Sequence, residues 1–350
     1  MLSIRALLTR SLVMFCITSM LYGAFFVSTA DAAPKTIRVA LGTMGSSGYA
    51  KEDADAIAEQ IIKASNGRIK VKVSYGDSVA PVPEHLNAVQ DGVFQLLYSC
   101  DALFAGKIPA AIVTGTVVGT LRNTGDYQAI NYDERWNLAG LLDGELAKWN
   151  AVNVARWGRP MDGLVSRVPL KSLSDVSGKK FKTGSDLGIG LAAFGGMGVW
   201  CAQDEIYTNL SSAILDGAAM GDAATKKGMG LQEVAKYWVS PTMRQGGSVC
   251  VIANKKFWEK LDEADRALIT NICFRVGMES ALKAQYQEDL VLNDLAANHG
   301  VTIEHWSDED MSNLAAVIIA DLNKKRDSDP ALSKSLDILD NYMNTVGYKK

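Results

Sequence analysis

The sequence predicts an α/β fold of two lobes with a long helix spanning both. Three observations carry this: an opening strand–helix–strand–helix–strand run, a second α/β run from Ala151, and an unbroken helical pattern from Asp262 to His299. Strands alternating with amphipathic helices imply a mainly parallel sheet covered by helices. At 1.5 Å per residue the last pattern reaches about 55 Å, wider than one lobe of roughly 150 residues. The length of 350 residues suits two such units.

Each element has its own signal. Ile37 to Leu41 reads as a first strand, and from Ala50 to Ala64 the residues Ala54, Ile57, Ala58, Ile61 and Ile62 share one helical face. Asn66-Gly67 supplies a left-handed stop. From Arg68 to Tyr75, Ile69, Val71, Val73 and Tyr75 alternate with Arg68, Lys70 and Lys72, the pattern of a strand with one buried face. A helix from Pro83 ends at Asp91-Gly92, and Val93 to Tyr98 forms the next strand. Ala151 to Trp157 starts the second unit, with a glycine-rich stretch at Gly178 to Lys182 and a helix from Asp204 to Leu215. Gly246 to Ala253 is a further strand. Asp262 is the expected N-cap of the long helix and Gly300 its stop. Residues 33–154 with 247–284 are expected to form lobe I, and 155–246 with 285–350 lobe II, so the chain crosses more than once.

Composition narrows the function. With 48% apolar residues the chain can offset the entropy of ordering, which excludes a disordered chain. A formal charge of −3 argues against a nucleic-acid partner. Arg5 and Arg10 precede an uncharged apolar run from Ser11 to Val27, followed by Ala30-Asp31-Ala32. That is the order of a secretory signal peptide, expected to be removed after residues 1–32. The run falls marginally short of a membrane span. Beyond it remain Cys100, Cys201, Cys250 and Cys273, without CxxC spacing and with only His85, His299 and His305 for company, so no zinc site is expected. These cysteines read as buried free thiols, with a single disulfide as the alternative.

Catalytic signals are sparse. Gly188 to Ala193 fits G-x-G-x-x-A, but the strand before it is short and polar, so it reads as a flexible loop beside a cleft. No Walker A, G-x-S-x-G or H-E-x-x-H pattern occurs. Cations near strand ends are more informative: Arg156, Arg159, Lys182 and Arg244. Open α/β folds bind ligands at the carboxyl ends of strands, and arginine grips a carboxylate through two parallel hydrogen bonds. Trp157, Trp200 and Trp238 lie in the same segments and read first as core, then as ligand platforms.

In order and spacing these motifs resemble the extracytoplasmic solute-binding subunit of TRAP transporters, of the DctP type. Ser65 to Val73 is similar to the family's small-x-G-R-hydrophobic turn, and Gly76 to Gly92 to its following helix. Tyr98 to Ala111 resembles the 2-oxo-acid branch, where an aromatic run precedes Gly-Lys-x-Pro-Ala. Pro169 to Gly178, Glu205 to Tyr207, Leu215 to Gly217 and Asn254 to Trp258 resemble later family segments. The resemblance implies a periplasmic binding protein, and neither enzyme activity nor a cofactor is expected. It would capture a small organic acid between its lobes and deliver it to a TRAP membrane permease.

Departures from that pattern shape the expected site. Lys182 stands where the family carries a carboxylate-clamping arginine, and lysine lacks the planar fork. Where the oxo-acid branch has Glu-Trp and a further acidic ligand for a cation, this chain has Ala219-Met220 and Gln245, with Arg244 beside the latter. A cation-bridged site is therefore expected to be dismantled. Lys182, Arg159, Arg244, Met220, Gln245, Tyr98, Trp200 and Asp222 are the expected ligand-binding residues. Two alternatives stay open: an amino-acid binder using Asp222 or Asp186 for the ammonium, and an exported carboxylate-processing enzyme. Monomer and dimer are also both open.

Overall fold

The computed structural model describes residues 36–115 and 117–348, so the expected signal peptide, residues 1–32, lies outside the described residues. Its strands are β1 (Ile37–Thr43), β2 (Ile69–Tyr75), β3 (Leu96–Ser99), β4 (Ala151–Met161), β5 (Leu164–Ser166) and β6 (Lys180–Lys182). They continue with β7 (Met197–Val199), β8 (Gly217–Ala219), β9 (Tyr237–Ser240), β10 (Arg244–Asn254) and β11 (Thr302–His305). Two separate sheets result, ordered β2-β1-β3-β10-β4 and β11-β9-β5-β8-β6-β7. Helices packed on both complete an α/β architecture.

Each sheet adds one antiparallel strand to the expected mainly parallel arrangement and is therefore mixed. β1 and β3 are parallel, but β10 runs antiparallel to β3 and β4. In the second sheet β5 is antiparallel to both β8 and β9. The cause is the chain crossing between sheets. β4 leaves the first sheet and, through Asp162 at φ 58°, enters the second as β5; β9 returns as β10. One strand of opposite direction is thereby inserted into each sheet.

Local sequence sets most element ends. The helix Gly48–Ala64 buries Ala54, Ile57, Ala58 and Ile61, then stops at Asn66 and Gly67, at φ 50° and 76°. The long helix spans Glu263–Asn298, with Asp262 accepting from the Asp265 amide at 2.7 Å and Gly300 at φ 64° beyond its end. It packs on β4 and the helix Gly48–Ala64 of the first sheet, and on the helix Ala223–Gly228 and β11 of the second. The expected lobe boundaries at 154/155, 246/247 and 284/285 fall inside β4, β10 and this helix.

Three expectations change. β4 continues beyond Trp157 to Met161, because its pairing with β10 extends to Met161 opposite Arg244. The helix expected from Asp204 to Leu215 is shorter, Ile206–Ser211 after a 3-10 turn, and Ala213 at φ 61° lies just past its end. Gly188 to Ala193 is no loop but part of the helix Ser185–Ala193. Gly190 there meets the helix Asp308–Lys325 so closely that a Cβ would lie 2.6 Å from Leu314 Cδ1. Its glycine serves helix packing. Cys100, Cys201, Cys250 and Cys273 are free.

Trp157 and Trp238 are fully buried. The Trp157 ring lies against Gly277 of the long helix, where an added Cβ would come within 2.3 Å of the indole. Gly277→Ala should therefore overpack this contact and cost about 1–3 kcal/mol. Thermal melts would check it, and an unchanged midpoint would contradict this packing.

Candidate functional site

A cavity of about 910 Å³ opens between elements of the two sheets. Its walls follow the carboxyl ends of strands: Met44 to Ser47 after β1, Cys100, Ala102 and Leu103 after β3, Met161 and Asp162 at the end of β4, Lys182 at the end of β6, Trp200 to Asp204 after β7, and Met220 after β8. Arg244 enters from the start of β10. That is where α/β sheets present ligands to loops.

Four of the expected residues line the cavity: Lys182, Arg244, Met220 and Trp200. Arg159, Tyr98, Asp222 and Gln245 do not. β4 explains the placement of Arg159. Successive side chains alternate in a strand, so Trp157 and Arg159 face the long helix, where Gly277 and Ser280 meet them. Arg156 points the other way, to Asp101 at 3.0 Å and Asp143 at 3.3 Å.

Arg159 is 1% exposed and is held from several sides. It donates to Asp222 at 2.5 Å and to Ser280 at 3.0 Å, and its Nη1 lies 3.7 Å from Asp53. The ring of Tyr49, which lines the cavity, lies with its centroid 3.5 Å from the guanidinium carbon. Tyr98 is fully buried and donates its hydroxyl to Asp53 at 2.6 Å. Asp222 also caps the helix Ala223–Gly228 by accepting from the Thr225 amide at 2.8 Å. Burial alone would raise the Asp222 pKa, but Arg159 and Thr225 hold it below the ordinary value. Asp53 is the reverse case: burial outweighs Arg159 and Tyr98 and pushes its pKa up to about 6.

Arg244 is 3% exposed and pairs with Asp186 and Asp162. Burial would lower its pKa, yet the two carboxylates raise it above the ordinary arginine value. Asp186 is wholly buried and also accepts from the Val118 amide at 3.3 Å. Asp186 and Asp222, the two candidate partners for an ammonium, are thus both engaged by arginines.

Lys182 differs. It is half-buried, yet protein surrounds it closely enough that burial pulls its pKa below the ordinary lysine value, with Asp162 opposing. Its Nζ lies 5.1 Å from the centre of the Trp200 ring, which is 50% exposed. Apolar wall is supplied by Met44, Met161, Met220 and Leu103. At the rim, Gln203 accepts from the Ser46 amide at 3.3 Å and donates to Ser47 at 2.9 Å, while Ser46 donates to Asp204. These bonds join the loop after β1 to the loop after β7.

Sequence reasoning missed Tyr49, Asp53, Asp162 and the Gln203–Ser47 contact. Asp53 had a readable signal. It occupies a position of the helix Gly48–Ala64 that shares the face of Ala50, Ala54 and Ile57, and a carboxylate on a buried face needs a partner. Asp162 lies in the turn between β4 and β5 and Gln203 in a single 3-10 turn, where spacing carries no such signal.

Two mixed sheets, crossing strands, a long helix and a cavity at the strand ends define a two-lobe solute-binding protein. The chain belongs to the DctP family, bacterial extracellular solute-binding protein family 7, which it matches over residues 43–327. A TRAP periplasmic solute-binding protein from Chromohalobacter salexigens, with bound (S)-(+)-2-amino-1-propanol, is similar at a TM-score of 0.79 and 20% identity, over 89% of this chain and 96% of that one. A TRAP transporter solute-binding protein from Bordetella bronchiseptica, with copurified calcium and picolinate, is similar at a TM-score of 0.80 and 20% identity, over 90% and 94%. A monocarboxylate 2-oxoacid-binding periplasmic protein of Nostoc is 24% identical over 214 residues, 59% of this chain and 57% of that protein. The chain therefore spans less than two thirds of that curated relative.

The Asp53 environment makes stability pH-dependent. Its folded pKa of about 6 exceeds the ordinary 3.8, so between these values the folded state holds a proton that the unfolded state lacks. Acidification from pH 7 toward 4 should stabilise the fold through this group, by about 2–3 kcal/mol at most. Comparing urea midpoints across that range for the wild type and Asp53→Asn isolates the effect. Equal slopes would show that Asp53 ionises normally.

Proposed function

We propose that this chain is a periplasmic receptor that encloses a small monocarboxylate in the cavity and delivers it to a TRAP membrane permease. Residues 1–32 would direct export and be removed. Residues 33–154 with 247–284 and residues 155–246 with 285–350 would act as the lobes that close on the ligand. Closure of this kind is a shift between open and closed populations.

One observation carries the reading. Among the described cationic residues lining the cavity, Lys182 has no carboxylate within ion-pair distance, whereas Arg244 and Lys107 have Asp186 and Glu84. A ligand carboxylate would restore the charge stabilisation that burial removes from this ammonium. Trp200 and the methionines would hold an apolar ligand body, since thioethers adapt their shape and contact aromatic rings favourably. Arg159 and Arg244 would position the walls without clamping the ligand. An ammonium ligand at Asp222 or Asp186 would have to break a buried ion pair, a loss of about 3–5 kcal/mol. The family and these structural relatives are solute-binding receptors, which favours binding over turnover.

The site tests this directly. A thermal-shift screen over 2-oxo acids and aromatic and aliphatic carboxylates should find a ligand, and calorimetry should then give its affinity. Lys182→Met should weaken binding about 30-fold or more, as expected for removing one partner of a buried charge pair. Unchanged affinity would discard Lys182 as the anchor.

Metal independence is a further expectation. Hard cations need six or more oxygen ligands, usually including free carboxylates. Ala219 and Met220 supply no side-chain oxygen, and Arg244 occupies Asp162 and Asp186. Dialysis against a chelator should leave ligand affinity unchanged, while Met220→Ala should alter ligand preference without lowering the melting temperature much. A large loss of affinity restored by calcium or sodium would overturn the metal-free reading.

A further inference from the structure

Most polar side chains around the cavity are already engaged by protein. Tyr75 donates its hydroxyl to Asp55 at 2.6 Å, Asp77 accepts from the Val82 amide at 2.7 Å, and Asp162 pairs with Arg244. Ser46, Ser47, Gln203 and Asp204 bond one another across the rim. Tyr49 differs. It lines the same cavity, yet its hydroxyl makes no hydrogen bond among the described residues and is not sealed in protein.

The fold fixes where that hydroxyl lies. Tyr49 is the second residue of the helix Gly48–Ala64, four positions before Asp53, so both share the face that meets Arg159. The guanidinium covers one face of the ring, 3.5 Å from its centre. At the start of the helix, Gly48 at φ 59° lies so close to Thr225 that a Cβ would come within 2.4 Å of Cγ2. A ring held this way presents its hydroxyl at a set point. Burial keeps the hydroxyl un-ionised, raising its pKa above the ordinary tyrosine value against the pull of Arg159, so it stays a neutral donor. Lys182, by contrast, is a cation from β6 of the second sheet, whereas Tyr49 belongs to a helix packed on the first. Cys100 and Asp162 act electrostatically on both groups, which places the two in one region of the cavity.

We propose that Tyr49 is the neutral donor of the site and determines specificity by binding an uncharged oxygen, carbonyl or hydroxyl, that the ligand carries beside its carboxylate. The inference rests on the monocarboxylate reading and adds to it a residue and a preference for oxygen-bearing acids over plain alkyl or aryl acids. The carboxylate already has a cation at Lys182; a phenol that does not ionise suits a neutral acceptor. A plain acid would enclose the Tyr49 hydroxyl without a partner. A buried donor left unsatisfied weakens binding by about 10- to 100-fold relative to an acid that satisfies it.

Calorimetry with two matched series tests it: 2-oxobutyrate, 2-hydroxybutyrate and butyrate, then phenylpyruvate, 3-phenyllactate and 3-phenylpropionate. In the series that binds, the wild type should favour an oxygen-bearing member over the plain acid by about 10- to 100-fold. Tyr49→Phe keeps a ring on Arg159, so it should bind the plain acid as the wild type does, with the preference lost and the melting temperature unchanged. Lys182→Met should weaken all members of a series alike. A wild type without preference would overturn the proposal and leave the receptor reading in place. So would a Tyr49→Phe variant that retains the preference or weakens every member equally. A wild type that binds none of these acids would overturn it as well, and the wider carboxylate screen then decides the receptor reading.

Discussion

A buried guanidinium constrains much of this molecule. Arg159 has almost no solvent contact, and a charge so placed survives only if several partners converge on it. Those partners come from elements far apart in the chain: Asp53 and Tyr49 from the helix after β1, Asp222 from the turn after β8, and Ser280 from the long helix. The ion pairs thus tie the first sheet's covering helices to the second sheet at the point where β4 crosses. Tyr49 carries the constraint onward, because one face of its ring lies on the guanidinium while the residue lines the cavity.

Arg244 repeats the logic one crossing later. It lies at the start of β10, directly opposite Met161 of β4, and draws Asp186 and Asp162 to itself. The two crossing strands therefore each carry an arginine neutralised by two carboxylates from elsewhere in the fold, Asp53 and Asp222 for Arg159 and Asp162 and Asp186 for Arg244. The consequence for the cavity is electrostatic: counting cations in the sequence overstates its positive character, because pairing removes two arginines from contention. Lys182 is left with Asp162 as an opposing influence and no direct bridge among the described residues.

Burial and hydrogen bonding distribute the remaining roles. Where a carboxylate accepts from both an arginine and a backbone amide, as Asp222 does, it stays charged and rigid. Asp53 receives a tyrosine hydroxyl and only a distant guanidinium, so desolvation wins. Both carboxylates touch the same arginine, and geometry alone separates them. The wall beyond Lys182 is soft and apolar, from Met44, Met161 and Met220, with Trp200 as its exposed aromatic. Its shape can follow a ligand body, whereas the arginine-bound frame beneath it cannot.

Much of the fold was legible because it depends on local chemistry. The helix Gly48–Ala64 with its Asn66-Gly67 stop, the alternation of β2, and the Asp262 cap and Gly300 stop of the long helix all follow from periodicity and backbone preference within a few residues. The order of motifs also determined the family. Of the expected site, Lys182, Arg244, Met220 and Trp200 reached the cavity, because strand ends are readable. What only the tertiary structure decided was pairing. Nothing in the spacing from Asp53 to Arg159 to Asp222, or from Asp162 to Asp186 to Arg244, shows that these groups neutralise one another. Tyr98 lies outside the cavity lining for the same reason, its hydroxyl being drawn inward to Asp53. Helix and strand signals act over a few residues, whereas the fate of a buried charge depends on whichever distant side chain the fold brings within about 4 Å of it.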